Sequence, residues 1–308
     1  EGKKLGTMLM IEDISSEKRM KSTMSRYIDP SIADKLLGDG GDILGGKSGV
    51  ATVLFSDIRS FTTISEELGA QGTVNLLNDY FTIMMESIQR ENGLLDKFIG
   101  DAIMAAFGMP IAHEDDEDRG VRAAISMHKD LANWNRERAA RGQRPLEIGV
   151  GLNTDTVLAG NIGSPKRMDY TLIGDGVNLA ARLESACKQY GARILISENT
   201  HRRLRGNYKI REIDRVVVKG KTKSVGVFEV LDYHTDETFP RMEEALQLFR
   251  SGISSYRDQQ WSRATTSFRD ALKLNPMDHL CQIYIERCAE LAAEPPKDWD
   301  GTWVLTEK

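Results

Sequence analysis

The spacing of apolar positions predicts alternating strands and helices in the first part of the chain. Residues 50–55 form a short apolar run, which predicts a buried strand. Over residues 64–89 the apolar side chains recur at helical spacing, which predicts a long helix with one buried face. Apolar segments flank Gly100 and Asp101. A Gly-Asp pair between two such segments predicts a tight turn, and therefore a hairpin over residues 97–107.

The same pattern continues through the next hundred residues. A helix is predicted over residues 121–140, and the acidic run 113–118 precedes it. Negative groups suit the start of a helix, so we interpret this run and His113 as a solvated cap and not as a metal site. The later elements are strands at 146–153 and 156–163, a helix at 177–190, and strands at 194–196, 215–218 and 228–231. This order predicts an α+β fold with a mostly antiparallel sheet.

Two interpretations of the first 48 residues stay open. A strand over residues 5–14 enters a charged helix over 17–28, and Pro30 separates it from a short second helix. Residues 1–14 resemble the last strand of a PAS sensor, but they can also be a leading strand of the domain that follows. Residues 15–48 are either an ordinary amphipathic helical segment or a signalling linker whose helices pair in parallel between two subunits.

From residue 240 the pattern is helical only. Gly252, Tyr256, Ala264, Phe268 and Pro276 have the spacing of one tetratricopeptide repeat, which the segment 240–292 resembles, with a third helix after it. A single repeat cannot bury its apolar face alone, so we expect these helices to pack on the rest of the chain or on a second subunit. A generic helical extension is the alternative. Residues 293–308 are predicted to be irregular, and their two tryptophans need a covering surface.

Composition narrows the possible classes of protein. The length of 308 residues favours two domains, and the net charge of −5 (41 basic against 46 acidic residues) argues against nucleic acid as the main partner. No apolar run reaches 18 residues, so no transmembrane helix is expected. Three cysteines without metal spacing are typical of free thiols in a cytoplasmic protein. Because the sequence starts at Glu1 and not at Met, we expect a piece of a longer chain.

Two carboxylates are the first candidates for chemistry. A lone Gly100-Asp101 pair is usually only a turn. Asp57, however, stands at the end of the strand predicted over residues 50–55. Carboxylates at the ends of neighbouring strands can hold hard divalent cations, and two such cations can neutralise a polyphosphate. The helix that opens near Phe61 and Thr62 has free N–H groups that suit a phosphate.

Four motifs, in this order, resemble the class III nucleotidyl cyclases. They are FSDIRSFT at 55–62, KFIGD at 97–101, DYTLIGDGVNLAARLE at 169–184 and VKGK at 218–221. The resemblance looks strongest to bacterial and cyanobacterial adenylate cyclases that lie downstream of sensor domains. It implies a ferredoxin-like βαββαβ core over residues 49–235. That core would carry an N-terminal linker helix and a C-terminal helical extension.

The resemblance also implies a reaction and its residues. The 3′-hydroxyl of ATP attacks the α-phosphate, giving 3′,5′-cyclic AMP and pyrophosphate, with two Mg²⁺ or Mn²⁺ ions per site. The implied metal ligands are Asp57, Asp101 and the carbonyl of Ile58. Arg182 would stabilise the α-phosphate, and Asn178 would place the ribose. Lys219 would bind the terminal phosphates, with Lys221 as second choice. Phosphate binding is also expected from Lys166 or Arg167 and from the helix start at Phe61 and Thr62.

Base selection is expected from Lys97 and Thr171. Lys97 can donate to N1 of adenine, and the Thr171 hydroxyl can accept from the exocyclic amine. A hydroxyl can also donate, so selectivity would rest mostly on Lys97. In the resemblance, guanylate cyclases carry Glu and Cys at these positions. Many adenylate cyclases carry Asp at the second one, whereas Thr is found in a subgroup of bacterial and soluble enzymes, often stimulated by bicarbonate.

In the family the metal aspartates of one subunit face the Lys, Thr, Asn and Arg set of the other. All of them occur in this chain, so the resemblance implies a head-to-tail homodimer with two equivalent sites, controlled by an upstream sensor domain. A guanylate cyclase is the near alternative, disfavoured by Lys97. A catalytically silent cyclase-like scaffold is the alternative from another class. A diguanylate cyclase would require a Gly-Gly-(Asp/Glu)-Glu-Phe hairpin, which residues 98–102 do not match.

Overall fold

A computed structural model describes residues 46–164, 167–217, 224–296, 298–299 and 301. The upstream sensor strand, the linker helices and Trp303 lie outside these ranges, as do Lys166, Lys219 and Lys221. Within them, no helix has both the length and the apolar character needed to cross a bilayer.

One sheet organises the described part of the chain. Its strands are β1 (Lys47–Ile58), β2 (Leu94–Ile99), β3 (Ala102–Phe107), β4 (Ile148–Ser164), β5 (Arg167–Ile173), β6 (Ile194–Ser197), β7 (Ile210–Val217) and β8 (Ser224–Val230). The spatial order is β2-β3-β1-β4-β6-β8-β7, and β5 pairs with β4. The β4–β6 pairing is parallel and the other pairings in these ranges are antiparallel, so the predicted α+β fold with a mostly antiparallel sheet is confirmed.

Helices cover both faces of this sheet. They are α1 (Phe61–Arg90), α2 (Asp116–Ala140), α3 (Asp175–Tyr190), α4 (Glu198–Arg203), α5 (Met242–Arg257), α6 (Trp261–Leu274) and α7 (His279–Ala293). Leu54 of β1 packs in one core with α1 and α2, whereas its neighbour Val53 packs in another with Val177 and Ala180 of α3. Successive side chains of a strand point to opposite faces, so α1 and α2 lie on one side of β1 and α3 on the other.

The prediction of two strands at 146–153 and 156–163 is wrong, because β4 is one strand of 17 residues. The polar Asn153-Thr154-Asp155 stretch suggests a turn, but all three residues pair with β1. Thr154 Oγ1 lies 2.8 Å from Thr52 Oγ1, and Asn153 Nδ2 donates to the carbonyl of Gly176 at 2.8 Å. Polar side chains can continue through a buried strand when they find such partners.

The last three helices pack on the sheet, as one of the two sequence expectations proposed. Phe249, Phe268 and Tyr284 share a core with Leu183 of α3 and Ile213 of β7. α5 packs against α6 and α6 against α7. The likeness of these helices to a tetratricopeptide repeat stays a prediction.

Charged groups also join these helices to the sheet. Arg211 of β7 donates to Glu229 at 2.7 Å and to both carboxylate oxygens of Asp278 at 2.6 and 3.0 Å, and all three side chains are buried. A second link joins Arg287 of α7 to Asp214 at 2.9 Å. Each of these charges therefore has a partner of opposite sign.

The single tryptophan of the tail that the structure describes is covered. Trp299 donates from Nε1 to the carbonyl of Arg257 at 3.1 Å and lies edge-on to Tyr256 and Trp261. The last helix continues through Ala293, the first residue of the predicted tail, and the described residues from Glu294 onward carry no helix or strand.

Candidate active site

The register of β1 and β3 brings the two predicted carboxylates together. β1 ends one residue after Asp57, and Ser56 pairs with Ile103 just past the β2–β3 turn. Gly100 adopts a φ of 66° in that turn, a conformation that glycine reaches at little cost, and Asp101 follows it. The backbone N–H of Ile58 donates to Asp101 Oδ2 at 3.3 Å, which places the Asp101 carboxyl at the end of β1 beside Asp57.

Among the described residues, no basic side chain forms an ion pair with either carboxylate of this pair. Burial raises the pKa of Asp101 to about 7, and the neighbouring Asp57 carboxylate adds to the rise. Asp57 Oδ1 is buried and has no hydrogen-bond partner among the residues that the structure describes. The nearby guanidinium of Arg59 is engaged elsewhere, with Glu184 Oε1 at 3.2 Å. Two close carboxylates with one orphaned oxygen fit a site for a bound cation.

The chemistry of the donor set favours a hard divalent ion. In the described ranges no group of three or more His, Cys, Asp or Glu side chains could hold a metal. A cation at this position would therefore take oxygen from Asp57, Asp101 and a main-chain carbonyl such as that of Ile58, and the remainder from its substrate. Oxygen-only ligation suits Mg²⁺ or Mn²⁺.

The start of α1 supplies N–H groups beside these carboxylates. Ser60 precedes the helix with a φ of 57°, and no side chain caps the helix start. The first N–H groups of a helix have no partner within it, so those of Phe61 and Thr62 are suited to phosphate oxygens. Phe61 is half-buried against the core of α1 and α2, and Thr62 is exposed. Both line a cavity of about 590 Å³ that also contains Asp57 and Asp101.

Two basic residues that the sequence did not indicate line the same cavity. Lys188 belongs to the last turn of α3, and Arg193 precedes β6. Arg193 also forms an ion pair with Glu147 at 3.5 Å. An isolated Lys or Arg near a helix end is too common to be singled out, so only the fold reveals that these two share a cavity with the carboxylates.

The structure also joins Lys97 and Thr171, through a residue that was not predicted. Thr171 Oγ1 donates to Asp96 Oδ2 at 2.9 Å, and Lys97 Nζ lies 3.3 Å from the same oxygen. The sequence pattern does not predict this contact, because consecutive residues of a regular strand point to opposite faces. A bulge between Leu95 and Lys97 interrupts the regular pairing of β2 with β3.

Asn178 and Arg182 form a separate group. They are exposed on α3, and their spacing of four residues places them on one face. Among the described residues, the carboxylate cavity is lined by neither of them, nor by Lys97 or Thr171. The predicted site residues therefore do not meet in one cavity of the described chain. Arg167 opens β5 and Lys219 falls between β7 and β8, but the side chain of the first and the whole of the second lie outside the described residues.

Comparison with known proteins assigns residues 46–230 to a family. The sequence model described as "Adenylate and Guanylate cyclase catalytic domain" matches residues 46–230. The chain is 39% identical over 186 residues to an adenylate cyclase of Anabaena cylindrica, covering 58% of this chain and 36% of that one. It is 35% identical over 247 residues to the terminal-differentiation-specific adenylate cyclase of Dictyostelium discoideum, covering 78% of this chain and 11% of that one. The chain therefore spans well under half of either relative.

Solved structures agree on the fold. The adenylyl cyclase CyaB from P. aeruginosa is 38% identical with a TM-score of 0.57, covering 62% of this chain and 98% of that one. A guanylyl cyclase structure is 37% identical with a TM-score of 0.56, covering 60% and 93%. The two activities are thus represented at nearly equal similarity.

Proposed function

The chain belongs to the family of adenylate and guanylate cyclase catalytic domains, and on this premise we propose that it is an adenylate cyclase that converts ATP to 3′,5′-cyclic AMP and pyrophosphate. The observation that carries the choice of base is the pair Lys97 and Thr171, held together by Asp96. A lysine donates to the unprotonated N1 of adenine, whereas N1 of guanine carries a proton.

Each of the candidate site residues would have a separate role in the reaction. Asp57 and Asp101 would hold two Mg²⁺ or Mn²⁺ ions, which when bound polarise the 3′-hydroxyl and neutralise the phosphates. The N–H groups of Phe61 and Thr62 would bind phosphate oxygens. Arg182 would donate hydrogen bonds to the charge that develops at the α-phosphate. Asn178 would orient the ribose, with Lys219 and Arg167 on the leaving phosphates.

A head-to-tail homodimer would bring the carboxylate pair of one subunit to Asn178 and Arg182 of the other. Two observations support it: Asn178 and Arg182 are exposed and do not line the carboxylate cavity, and the β4–β5 hairpin exposes several large apolar side chains. An exposed apolar group of this kind often marks an interface. The residues are Leu158, Ile162, Met168 and Ile173, with exposed fractions of 40%, 38%, 43% and 46%.

The direct test is cyclic nucleotide formation by the purified chain with ATP or GTP, each with Mg²⁺ and with Mn²⁺. Cyclic AMP from ATP, with specific activity rising as protein concentration rises, is the expected result. Cyclic GMP from GTP alone would identify a guanylate cyclase. No product from a folded dimer would favour the silent scaffold.

The shared site has its own test. Asp57→Ala and Arg182→Ala chains should each be inactive alone, and mixing them should restore one intact site per heterodimer. Two Asp57→Ala preparations mixed together are the matched control. Activity that does not recover on mixing would contradict a site built from two subunits.

A further inference from the structure

We propose that Asp96 determines adenine selectivity by fixing the direction of the hydrogen bond made by the Thr171 hydroxyl, which makes it a positioning residue. The inference rests on the proposed function, and it removes the ambiguity that the sequence left at Thr171. A free hydroxyl can donate or accept and so tolerates either purine. A hydroxyl whose proton is already engaged can only accept.

The bulge in β2 gives Asp96 this position. Regular pairing of β2 with β3 is interrupted between Leu95 and Lys97, so Asp96 is the extra residue. A bulge re-aims side chains, and here it lets the consecutive Asp96 and Lys97 approach the same point on β5. The side chain of Asp96 is fully buried, while that of Lys97 keeps 39% of its surface exposed.

Three donors converge on the carboxylate. Thr171 Oγ1 and Lys97 Nζ lie 2.9 and 3.3 Å from Oδ2, and the backbone N–H of Leu172 donates to Oδ1 at 3.3 Å. An ionised carboxylate has no proton to give, so the hydroxyl must be the donor in its bond to Asp96. The ammonium of Lys97 at 3.3 Å pairs with the ionised carboxylate, and the hydrogen bonds from Thr171 and Lys97 limit the rise that burial causes in the pKa of Asp96.

The consequence for the base is a fixed pattern of one acceptor and one donor. With its proton on Asp96, Thr171 presents only lone pairs, which match the exocyclic amine of adenine and repel O6 of guanine. The ammonium of Lys97 has three N–H groups, and the ion pair with Asp96 fixes its direction while leaving others for N1. A buried site whose polar groups meet the wrong partner discriminates strongly, because those groups are left unpaired.

Asp96→Asn is the sharpest test because it preserves shape and adds a donor. The asparagine amide can donate to Thr171, which frees the hydroxyl proton for O6 of guanine. We expect the ratio of kcat/KM for ATP to that for GTP to fall at least tenfold. The ratio of the dissociation constants for 3′-deoxy-ATP and 3′-deoxy-GTP, measured by titration calorimetry, should fall similarly, since neither compound can cyclise. Asp79→Asn, at an exposed position of α1, is the matched control and should change neither ratio.

Two further variants keep the proposal falsifiable if the asparagine chain does not fold. Asp96→Ala removes the acceptor without adding a donor and should also relax both ratios. The double variant Thr171→Val, Asp96→Asn should have the same ATP-to-GTP ratio as Thr171→Val alone. Once the Thr171 hydroxyl is gone, the change at Asp96 should have no further effect, because the two residues act through one hydrogen bond.

The outcomes separate this inference from the proposed function. If the wild-type chain makes cyclic AMP and the Asp96 variants weaken both nucleotides equally, Asp96 is merely structural and the inference fails alone. If no cyclic AMP forms but the binding ratio shifts as expected, the inference stands and the proposed activity fails.

Discussion

Two groups of carboxylates in this molecule differ in what surrounds them. Glu229 and Asp278 share the guanidinium of Arg211, and every contact is 3.0 Å or shorter. Asp57 and Asp101 face each other, and in the described part of the chain neither has such a partner and one oxygen of Asp57 accepts no hydrogen bond. The residue types are similar, but the first group is buried around a guanidinium, whereas the second is half-buried and, among the described residues, has no ion pair with a basic side chain.

The difference separates a structural role from a functional one. Burial raises the pKa of Asp278, and the guanidinium of Arg211 more than reverses that effect, so the pKa of Asp278 is lowered. At Asp101 burial and a like charge act in the same direction, and the pKa rises to about 7. An unneutralised pair costs stability, and a folded protein retains one where something else supplies the charge. The same substitution in the two groups should therefore have opposite effects.

The largest effect is expected on catalysis at the unneutralised pair. Asp57→Asn removes a metal ligand and a repulsive charge, so cyclase activity should fall on the order of 10³-fold. The free energy of unfolding of the metal-free protein should stay the same or rise. Initial rates and urea denaturation measure the two quantities. A variant with more than a tenth of the wild-type rate would remove Asp57 from the metal site.

Asp278→Asn should lower the free energy of unfolding and leave the cyclase activity of the folded protein unchanged. It weakens the two hydrogen bonds from the buried Arg211 guanidinium to residue 278, while the ion pair of Arg211 with Glu229 remains, so the expected loss is about 1–3 kcal/mol of unfolding free energy. The surface pair Asp270–Lys273 offers the matched control, and Asp270→Asn should cost about 0–1 kcal/mol. Urea denaturation compares the two variants. Equal losses would mean that the buried network is no stronger than a surface ion pair.

Added Mg²⁺ should stabilise the chain through the unneutralised pair only. At a concentration one hundred times the dissociation constant, a bound ion raises the free energy of unfolding by about 2.7 kcal/mol. Thermal unfolding with and without Mg²⁺ should show this rise in the wild type and in Asp278→Asn, but not in the double variant Asp57→Asn, Asp101→Asn. A rise that persists in the double variant would locate the ion elsewhere.

The smallest effect is expected on the pH dependence of stability, from a buried histidine whose ring is neutral in the folded protein. His128 is buried, its Nε2 lies 3.2 Å from the carbonyl of Arg193, and burial, with a smaller contribution from Arg193, lowers its pKa to about 3. Above pH 6.5 neither the folded nor the unfolded chain protonates this ring. Below pH 6.5 the His128 ring takes up a proton only in the unfolded chain, so the free energy of unfolding falls by about 1.4 kcal/mol per pH unit as the pH drops toward 3.

His128→Gln should remove that part of the acid sensitivity. Denaturation at pH 7, 6, 5 and 4 would compare its slope with that of the wild type. His279→Gln, at an exposed position of α7, is the control and should leave the slope unchanged. A His128→Gln chain that loses stability as steeply as the wild type would assign the acid sensitivity to other groups.

Much of the site could be predicted from the sequence because its parts are local. The strand that ends at Asp57, the turn that carries Asp101 and the four-residue spacing of Asn178 and Arg182 depend only on neighbours along the chain. Periodicity and turn chemistry report such features directly. The order of the elements then limited the possible folds.

What the sequence alone determined was therefore which residue types stand at strand ends, in turns and on helix faces. Only the tertiary structure decided which of them meet. Arg211 binds Asp278, which lies 67 residues away in the sequence, and Thr171 binds Asp96, which lies 75 residues away. Strand β4 continues through polar residues because β1 pairs with them. The physical reason is that a buried polar group is stable only with its partner in place, and that partner is supplied by the fold.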